Sequence, residues 1–374
     1  MSDKYYFCTF AVVVLRYSSG CLSAYNLFIM ILVTGGTGLV GAHLLYELTS
    51  SGLRVKSLRR QQSNTAWVKK IFSYYTDKVD ILFSQIEWVE GDILDYFSLE
   101  EALKGITSIY HCAAIVSFHG DDNDMMLNNN VKGTGNLIDA AIHNGVRRFC
   151  HVSSIAALGK TQDGSVITEE TYWTPSKRKS GYSLSKFFSE MEVWRGIEEG
   201  LDAVIVNPSI IMGPGNWEIG SPKLFQSIWK GLKYYTKGIS GFVDVRDVVK
   251  AMILLMDNQQ FEQVKNQRFI LNAGNMSYQD FFNKIADGLN KPRPRNFASD
   301  IKLNIAWRMA IAASFFTGKR PVITRETVSG TNQKNHYSGE KINLTTGFEY
   351  RSLDSSITDI AEIFLKDMVL PSGK

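Results

Sequence analysis

Cysteine and histidine are scarce in this sequence, and their positions argue against several classes of protein. The four cysteines, Cys8, Cys21, Cys112 and Cys150, form no Cys-x-x-Cys pair and have no metal-ligand spacing. The six histidines are scattered, and none lies in a group with Asp or Glu that suggests a metal site. Cys112 and Cys150 lie in apolar runs, where a free cysteine behaves as a small buried side chain. We therefore expect no metal and a reducing, cytoplasmic location.

Long uninterrupted apolar segments and basic stripes are also lacking. A helix-like apolar stretch at residues 301–316 is interrupted by Lys302 and Arg308, so it does not qualify as a membrane span. The formal charge of +4 is spread along the chain and forms no basic stripe with interleaved aromatic residues. We expect no membrane span and no nucleic-acid partner, and we interpret the stretch as a lid or a wall of a substrate pocket.

The overall composition of the chain is that of an ordinary globular protein. The chain has 374 residues, of which 44% are hydrophobic and 21% charged, and its length suggests two domains. From residue 30 to about 208, strand-like apolar runs alternate with helical ones, which predicts an α/β Rossmann-type doubly wound parallel sheet. Residues 209–374 are predicted to form mainly a smaller C-terminal substrate-binding domain, with about 243–256 returning to the Rossmann domain.

The first 29 residues do not fit this pattern. Residues 5–15 are apolar and follow Lys4, which faintly resembles a secretion signal. The first strand of the predicted Rossmann domain, however, begins at Met30. We interpret residues 1–29 as an N-terminal extension outside the fold, produced by a start site read too far upstream, with a targeting segment or anchor as the alternative.

A glycine-rich turn follows the first buried strand. Residues 28–33 are uniformly apolar, as in a parallel strand, and Gly35, Gly38 and Gly41 then recur at every third position before a helix-like run. Such a turn lets backbone N–H groups at a helix N-terminus approach a pyrophosphate. We therefore predict a dinucleotide site, although an ordinary glycine-rich loop would show the same residues.

The end of the next strand bears on which dinucleotide is bound. Residues 53–58 suit a strand that ends in Arg59 and Arg60, at the position where NAD-binding proteins usually carry Asp or Glu. Arginine can pair with a 2′-phosphate through its fork of donors, so these residues favour NADP over NAD. Two solvated arginines at the end of a strand remain the alternative.

Two residues one helical turn apart point to catalysis. Tyr182 and Lys186 are four positions apart and would share one face of a helix. A phenol titrates at about pH 10, and a neighbouring cation favours its ionised form. We expect Lys186 to lower the pKa of Tyr182 towards neutrality, so that Tyr182 can exchange a proton with a substrate hydroxyl. The pair alone is a weak signal, but together with the glycine turn it indicates an enzyme.

Further motifs occur in a consistent order along the chain. They are Gly91-Asp92-Ile93, Tyr110-His111-Cys112-Ala113-Ala114, Asn130-Val131-Lys132-Gly133-Thr134, Val152-Ser153-Ser154 and Asn207-Pro208-Ser209. With them, the chain from about residue 30 to its C-terminus resembles an extended short-chain dehydrogenase/reductase of the NAD-dependent epimerase/dehydratase superfamily. Residues 231–247 resemble the dihydroflavonol-reductase-like and 3β-hydroxysteroid-dehydrogenase-like branch.

The resemblance implies roles for individual residues. Ser154, rather than its neighbour Ser153, would hydrogen-bond the substrate oxygen, and Tyr182 would be the acid/base. Lys186 would bind the nicotinamide ribose and tune Tyr182, while Asn130 would support the active-site geometry. The implied cofactor contacts are Gly35, Gly38, Leu39, Val40, Gly41, Arg59, Arg60, Asp92, Ile93, Ala113, Ala114, Tyr182, Lys186 and Pro208.

Two of these motifs also contain residues with a structural interpretation. Asp92 alone could be a turn former after Gly91. For His111 we prefer a core histidine with satisfied hydrogen bonds to any catalytic role.

The resulting prediction is an NAD(P)-dependent oxidoreductase that transfers a hydride between nicotinamide and a carbonyl or alcohol substrate. A nucleotide-sugar epimerase or dehydratase using the same tyrosine is the alternative, and a cofactor-sensing binding protein would not need the intact relay. The partner is a small-molecule substrate, whose class the sequence leaves open because Phe118, Trp217 and Tyr235 suit a pocket and a core equally. A homodimer is compatible with the sequence.

Overall fold

The computed structural model describes residues 30–161, 163–173, 180–317 and 331–369, together with Arg320, Thr324 and Val328. The predicted N-terminal extension, residues 1–29, lies outside the described residues, and its two interpretations remain predictions. No helix among the described residues combines the length and the apolarity needed to cross a bilayer.

A parallel sheet of seven strands forms the centre of the described chain. In chain order the strands of the structure are β1 (Ile31–Thr34), β2 (Val55–Arg59), β3 (Ile86–Glu90), β4 (Ser108–His111), β5 (Arg148–Val152), β6 (Ala203–Pro208), β7 (Ile210–Met212), β8 (Tyr234–Tyr235), β9 (Ile239–Asp244), β10 (Gln267–Leu271), β11 (Gly274–Ser277) and β12 (Asn296–Phe297). The large sheet has the order β10-β6-β5-β4-β1-β2-β3, and every adjacent pair is parallel. The strand order reverses between β1 and β4, which is where sheets of this kind bind ligands. The predicted Rossmann-type α/β fold is confirmed.

Helices cover both faces of this sheet. In chain order the helices of the described residues are α1 (Leu39–Ser50), α2 (Ala66–Ser73), α3 (Val79–Phe83), α4 (Tyr96–Ala102), α5 (Asn123–Met126), α6 (Gly133–His143), α7 (Gly181–Glu198), α8 (Lys223–Trp229), α9 (Val245–Leu255), α10 (Phe261–Val264), α11 (Tyr278–Gly288), α12 (Asp300–Thr317), α13 (Glu340–Thr346) and α14 (Leu353–Val369). A π-helical turn, Leu127–Lys132, joins α5 to α6, and Ile155–Ala157 is a 3₁₀ turn.

The strands are apolar on both faces because helices cover both sides. Side chains alternate along a strand, so Ile31 and Val33 of β1 enter the core under α1 and α9, while Leu32 enters the core under α6. This explains why the first strand has an unbroken apolar run instead of an alternating pattern.

The C-terminal half of the chain builds a second unit. Strands β11, β9 and β7 form a three-stranded sheet, and β12 pairs with β8. Its core contains four fully buried phenylalanines, contributed by α8, β9, α11 and α14: Phe225, Phe242, Phe281 and Phe364.

Two segments of this half return to the large sheet. Val248 and Met252 of α9 belong to the core that also contains Val33 of β1, which places the helix of residues 245–255 against the Rossmann unit. Strand β10 pairs with β6 as the seventh strand, and the sequence analysis did not identify it. The apolar run Phe269-Ile270-Leu271 was the available signal.

Candidate active site

The glycine turn forms a tight backbone cradle between β1 and α1. Gly35 has a φ of +70°, and a Cβ there would lie 2.6 Å from the backbone nitrogen of Ala113. A Cβ on Gly41 would lie 2.2 Å from the carbonyl oxygen of Gly35, so only glycine allows α1 to pack this closely. The amide of Gly38 donates to Gly35 at 2.9 Å, and Gly38 caps the N-terminus of α1.

A cleft of about 230 Å³ opens beside this cradle, beyond the ends of β1, β2 and β4. It brings together Gly35, Gly38, Arg59, Arg60, Asp92, Ile93, Ala113, Ala114 and Asn130 from the predicted set. Leu39, Val40 and Gly41 instead form the start of α1, and the buried Pro208 ends β6. Sequence reasoning missed three hydroxyl-bearing residues that line the cleft, Thr34, Thr37 and Ser63, although Thr34 and Thr37 lie within the glycine-rich run.

The donors of this cleft suit a dinucleotide. Amides at a helix N-terminus attract a pyrophosphate, and the glycine cradle leaves room for it. Arg59 is half-buried, its Nε has no hydrogen-bond partner among the described residues, and its guanidinium lies 3.9 Å from the exposed carboxylate of Glu90. An ion pair this exposed is weak, so Arg59 retains donors for a ligand. Arg60 is exposed at the edge of the same cleft.

Asp92 and Ile93 take part in the local packing of the cleft wall. The carboxylate of Asp92 accepts a hydrogen bond from the backbone nitrogen of Leu94 at 2.9 Å, as a turn former does. A Cβ on Gly133 would lie 2.6 Å from the side chain of Ile93, so this glycine lets the first turn of α6 approach the wall.

Tyr182 lies in the first turn of α7, half-buried. The Ser180 hydroxyl caps the helix by accepting from the Ser183 amide at 3.1 Å, and the Ser183 hydroxyl donates to the carbonyl of Ala156 at 2.6 Å. These bonds hold the start of α7 against the turn after β5. There the phenol of Tyr182 lies beside the side chain of Ser154. Burial raises the pKa of Tyr182 above its usual value, and the neighbouring Ser154 hydroxyl lowers it only in part.

The two serines at the end of β5 point to different partners. Ser154 contacts Tyr182, and its hydroxyl accepts from the backbone nitrogen of Ala156 at 3.1 Å. The Ser153 hydroxyl instead donates to the buried carboxylate of Glu190 at 2.6 Å. Ser154 is therefore the serine available to a substrate oxygen.

Lys186 is buried, and its ammonium group binds the backbone. Its Nζ donates to the carbonyl of Val152 at 2.7 Å, at the end of β5. Burial lowers the pKa of Lys186 to about 8, against the opposing effect of the Glu190 carboxylate. The expected lowering of the Tyr182 pKa by Lys186 is not present in this structure, because desolvation dominates at Tyr182 and the cation is engaged elsewhere. Tyr182 is therefore protonated at neutral pH.

Asn130 connects the loop after β4 to helix α7. Its Nδ2 donates to the carbonyl of Ile115 at 2.9 Å and to the hydroxyl of Ser185 at 3.1 Å, and its Oδ1 accepts from the Ile115 amide at 2.7 Å. The residue lies in the π-helical turn of residues 127–132, a distortion common at functional sites. Asn130 thus sets the distance between the cleft wall and α7.

His111 is a core residue, in agreement with the sequence interpretation. Its Nδ1 lies 2.7 Å from the Thr34 hydroxyl and its Nε2 lies 3.0 Å from the Thr134 hydroxyl. Burial lowers the pKa of His111 to about 3, so the ring is neutral. Both nitrogens are satisfied, and the side chain has no free group for catalysis.

Sequence reasoning missed Glu190, which lies on α7 behind Ser153 and is 1% exposed. Its Oε2 accepts from Ser153 at 2.6 Å and from Asn207 Nδ2 at 2.7 Å. Its Oε1 accepts from Arg268 at 3.2 Å and from Trp194 at 3.4 Å. The available signal was its spacing, since Tyr182, Lys186 and Glu190 follow each other at intervals of four on one helix.

The aromatic residues proposed for the pocket have different environments. The Phe118 ring lies 5.8 Å from the ring of Tyr182, so the loop after β4 forms a wall beside the phenol. Trp217 is a core residue, because it packs on Phe364 at 4.9 Å and is 4% exposed. Tyr235 packs on Phe297 at 6.0 Å. Within the described ranges, no group of His, Cys, Asp and Glu side chains could hold a metal ion.

The sequence profile of the NAD dependent epimerase/dehydratase family matches residues 31–274, which include the glycine turn and the Tyr182/Lys186 pair. The chain belongs to this family. The resemblance to extended short-chain dehydrogenases/reductases is thereby confirmed, and the match supports an NAD-dependent enzyme of this family.

Three relatives illustrate the range of the family. A Synechocystis protein named "Putative dihydroflavonol 4-reductase" is 29% identical over 340 residues, covering 89% of this chain and 93% of that protein. Sterol demethylase protein B of Methylococcus capsulatus is 31% identical, covering 71% of this chain and 76% of that protein. The structure of DesIV, a dTDP-glucose 4,6-dehydratase of Streptomyces venezuelae with NAD bound, has a TM-score of 0.70, 20% identity, and coverage of 91% and 98%. This last likeness shows the shared fold.

Proposed function

We propose that this protein is an NADP-preferring oxidoreductase that interconverts a carbonyl and an alcohol on an apolar small molecule. The observation that supports it most is the protonated phenol of Tyr182 beside Ser154, on the helix that Asn130 of the cleft contacts through Ser185. A neutral phenol with a raised pKa is suited to donate a proton to the oxygen of a carbonyl that is being reduced.

Each site residue would have a separate role in the reaction. Bound nicotinamide would supply or accept the hydride. Ser154 hydrogen-bonds the substrate oxygen, and Tyr182 gives that oxygen its proton as negative charge develops there. Lys186, with a pKa of about 8, places a positive charge one turn from Tyr182 and has donors for the ribose hydroxyls. Asn130 fixes the distance between the cleft wall and α7 through its hydrogen bonds to Ile115 and Ser185.

The preference for NADP rests on the mouth of the cleft. Arg59, Arg60 and Ser63 all line it, and all three can donate to a 2′-phosphate. Among the described residues that line the cleft, Asp92 is the one acidic residue. No other acidic side chain there could accept hydrogen bonds from free ribose hydroxyls.

The substrate would lie between Tyr182 and the C-terminal unit, which we propose as the substrate-binding domain. Phe118 presents an aromatic ring beside the phenol and is 44% exposed. This wall suits an apolar alcohol or ketone better than a charged sugar nucleotide. The names of the relatives from Synechocystis and Methylococcus refer to a flavonoid-type reductase and a sterol demethylase, which agrees with a ring-containing apolar substrate.

The assembly and location are also proposals. We propose a homodimer formed through the outer face of α7 and its neighbours, where Met125 and Phe188 are each 43% exposed beside a cleft of about 400 Å³. Cys112 and Cys150 are free thiols, which fits a cytoplasmic enzyme. Sedimentation velocity of wild type and Phe188→Glu tests the dimer.

A substrate screen tests the proposed function. Purified protein is mixed with a panel of apolar ketones and alcohols and either NADPH/NADP or NADH/NAD, and nicotinamide absorbance is followed. We expect turnover with an apolar ring compound and a lower KM for the phosphorylated cofactor. Turnover of a nucleotide sugar with tightly retained nicotinamide after purification would instead support an epimerase or dehydratase.

A further inference from the structure

Helix α12 (Asp300–Thr317) carries an apolar stripe that faces away from the protein. Ile301, Ile305 and Met309 follow each other at intervals of four and therefore lie on one face of the helix. Their exposed fractions are 74%, 52% and 66%. Large apolar side chains exposed singly are ordinary, but a row of three along one helix face marks an interaction surface.

The opposite face of α12 is less exposed than the stripe. Leu303, Ala306 and Ala310 are half-buried and lie on the side away from the stripe. The stripe is therefore the more exposed face of the helix.

The charges beside the stripe are all positive. With about 100° between successive residues, Lys302 borders the stripe on one side and Arg308 on the other, and both are exposed. The single acidic residue of α12 is Asp300, and its carboxylate accepts a hydrogen bond from Asn332 at 2.6 Å at the start of the helix. An apolar stripe between two cations matches the boundary of a bilayer with anionic headgroups, where apolar side chains enter the acyl region and cations meet phosphates.

The far end of α12 leads to the active site. Arg320, three residues beyond Thr317, pairs with Asp122 at 3.0 Å, and Asp122 accepts from the Ser117 hydroxyl at 2.6 Å. Ser117 precedes Phe118, whose ring contacts Tyr182. Three residues of extended chain span at most about 11 Å, so the helix ends close to the loop that walls the catalytic tyrosine.

We propose that α12 binds the surface of a lipid bilayer containing anionic headgroups, lying in the interface with Ile301, Ile305 and Met309 inserted and with Lys302 and Arg308 on the headgroups. The contact is peripheral, since the helix lies on the bilayer and does not cross it. It places the wall of the active site beside the lipid phase, from which an apolar substrate can enter. That last consequence rests on the proposed function, while the lipid contact does not.

The test uses the full chain and sedimentation with vesicles of phosphatidylcholine, alone or mixed with phosphatidylglycerol. Wild type should sediment with the mixed vesicles. Ile305→Glu should lower the partition coefficient by on the order of 10-fold or more, because it places a charge in the apolar stripe and repels anionic lipid. The matched control is Leu344→Glu, on the short helix α13, whose side chain is 85% exposed and lies outside the stripe.

The control should bind vesicles as wild type does, and both variants should keep the wild-type melting temperature. The double variant Lys302→Gln with Arg308→Gln should lower binding to the mixed vesicles by on the order of 10-fold and leave binding to phosphatidylcholine alone nearly unchanged. All the variants retain residues 5–15. A loss of vesicle binding in Ile305→Glu therefore comes from α12 and not from those residues.

Two results would overturn the proposal. One is wild-type vesicle binding by Ile305→Glu, which would assign any lipid contact to another part of the chain. The other is that wild type does not bind vesicles while Ile305→Glu changes from a dimer to a monomer. That result would make the stripe a contact between two copies of the chain. Neither readout uses enzyme activity, so the proposed function is tested separately.

Discussion

Glu190 of helix α7 and Arg268 of strand β10 form an ion pair of 3.2 Å, with the carboxylate 1% exposed. The pair connects α7, which carries Tyr182 and Lys186, to the seventh strand at the edge of the sheet. The other carboxylate oxygen binds Ser153 and Asn207, at the ends of β5 and β6. One buried anion thus joins three strands to the helix that holds Tyr182, and we infer that it positions that helix.

Glu190→Gln tests this role. The amide keeps the size of the side chain but leaves Arg268 without its counter-charge, and we expect a loss of about 3 kcal/mol in the free energy of unfolding. The carboxylate also raises the pKa of Lys186, so its removal should shift that pKa below about 8. Denaturant unfolding and the pH dependence of kcat measure the two effects.

The control for that experiment is Glu192→Gln on the same helix. Glu192 pairs with Arg195 at 2.9 Å on the surface, where an ion pair contributes little. We expect its stability and pH profile to stay close to wild type. A purely structural role for Glu190 would lower stability and leave the pH profile unchanged.

Tyr182→Phe removes the proposed proton donor. The phenyl ring fills the same space beside Phe118 but cannot protonate a substrate oxygen. We expect kcat to fall by on the order of 100-fold or more, with cofactor affinity and melting temperature little changed. Steady-state kinetics and cofactor titration by fluorescence check this, and turnover near the wild-type rate would remove Tyr182 from the mechanism.

The raised pKa of Tyr182 predicts opposite pH profiles for the two directions of reaction. Carbonyl reduction needs the protonated phenol, so its kcat should stay level through neutral pH and fall only as the pH rises towards the tyrosine pKa. Alcohol oxidation needs the phenolate, so its kcat should rise with pH over the same range. A reduction rate that increases steadily from pH 7 upward contradicts the assignment of Tyr182 as the acid.

Arg59→Asp should change the preferred cofactor. Aspartate repels a 2′-phosphate and accepts from free ribose hydroxyls, so the ratio of the NADP and NAD dissociation constants should move towards NAD by on the order of 10-fold or more. Arg54→Asp is the matched control, because Arg54 is exposed just before β2 and does not line the cleft. An unchanged ratio in Arg59→Asp would mean that Arg59 serves only its weak contact with Glu90.

Local patterns were enough to predict much of this protein. The strand, glycine turn and first helix are encoded within residues 28–48, since backbone freedom at Gly35 and close packing at Gly41 need no distant partner to be recognised. The shared face of Tyr182 and Lys186 follows from helical spacing alone. The rest of the predicted site came from the family motifs, and most of the predicted site residues line the cleft.

Other properties arose only when distant segments came together. The sequence could place Lys186 near Tyr182 but not show that its ammonium would bind the carbonyl of Val152, 34 positions earlier. Nor could it show that Arg268 would reach Glu190 from a seventh strand, or that Trp217 would pack in the core. The pKa of a phenol and the partner of a buried carboxylate depend on which surfaces exclude water around them, and tertiary packing alone determines that burial.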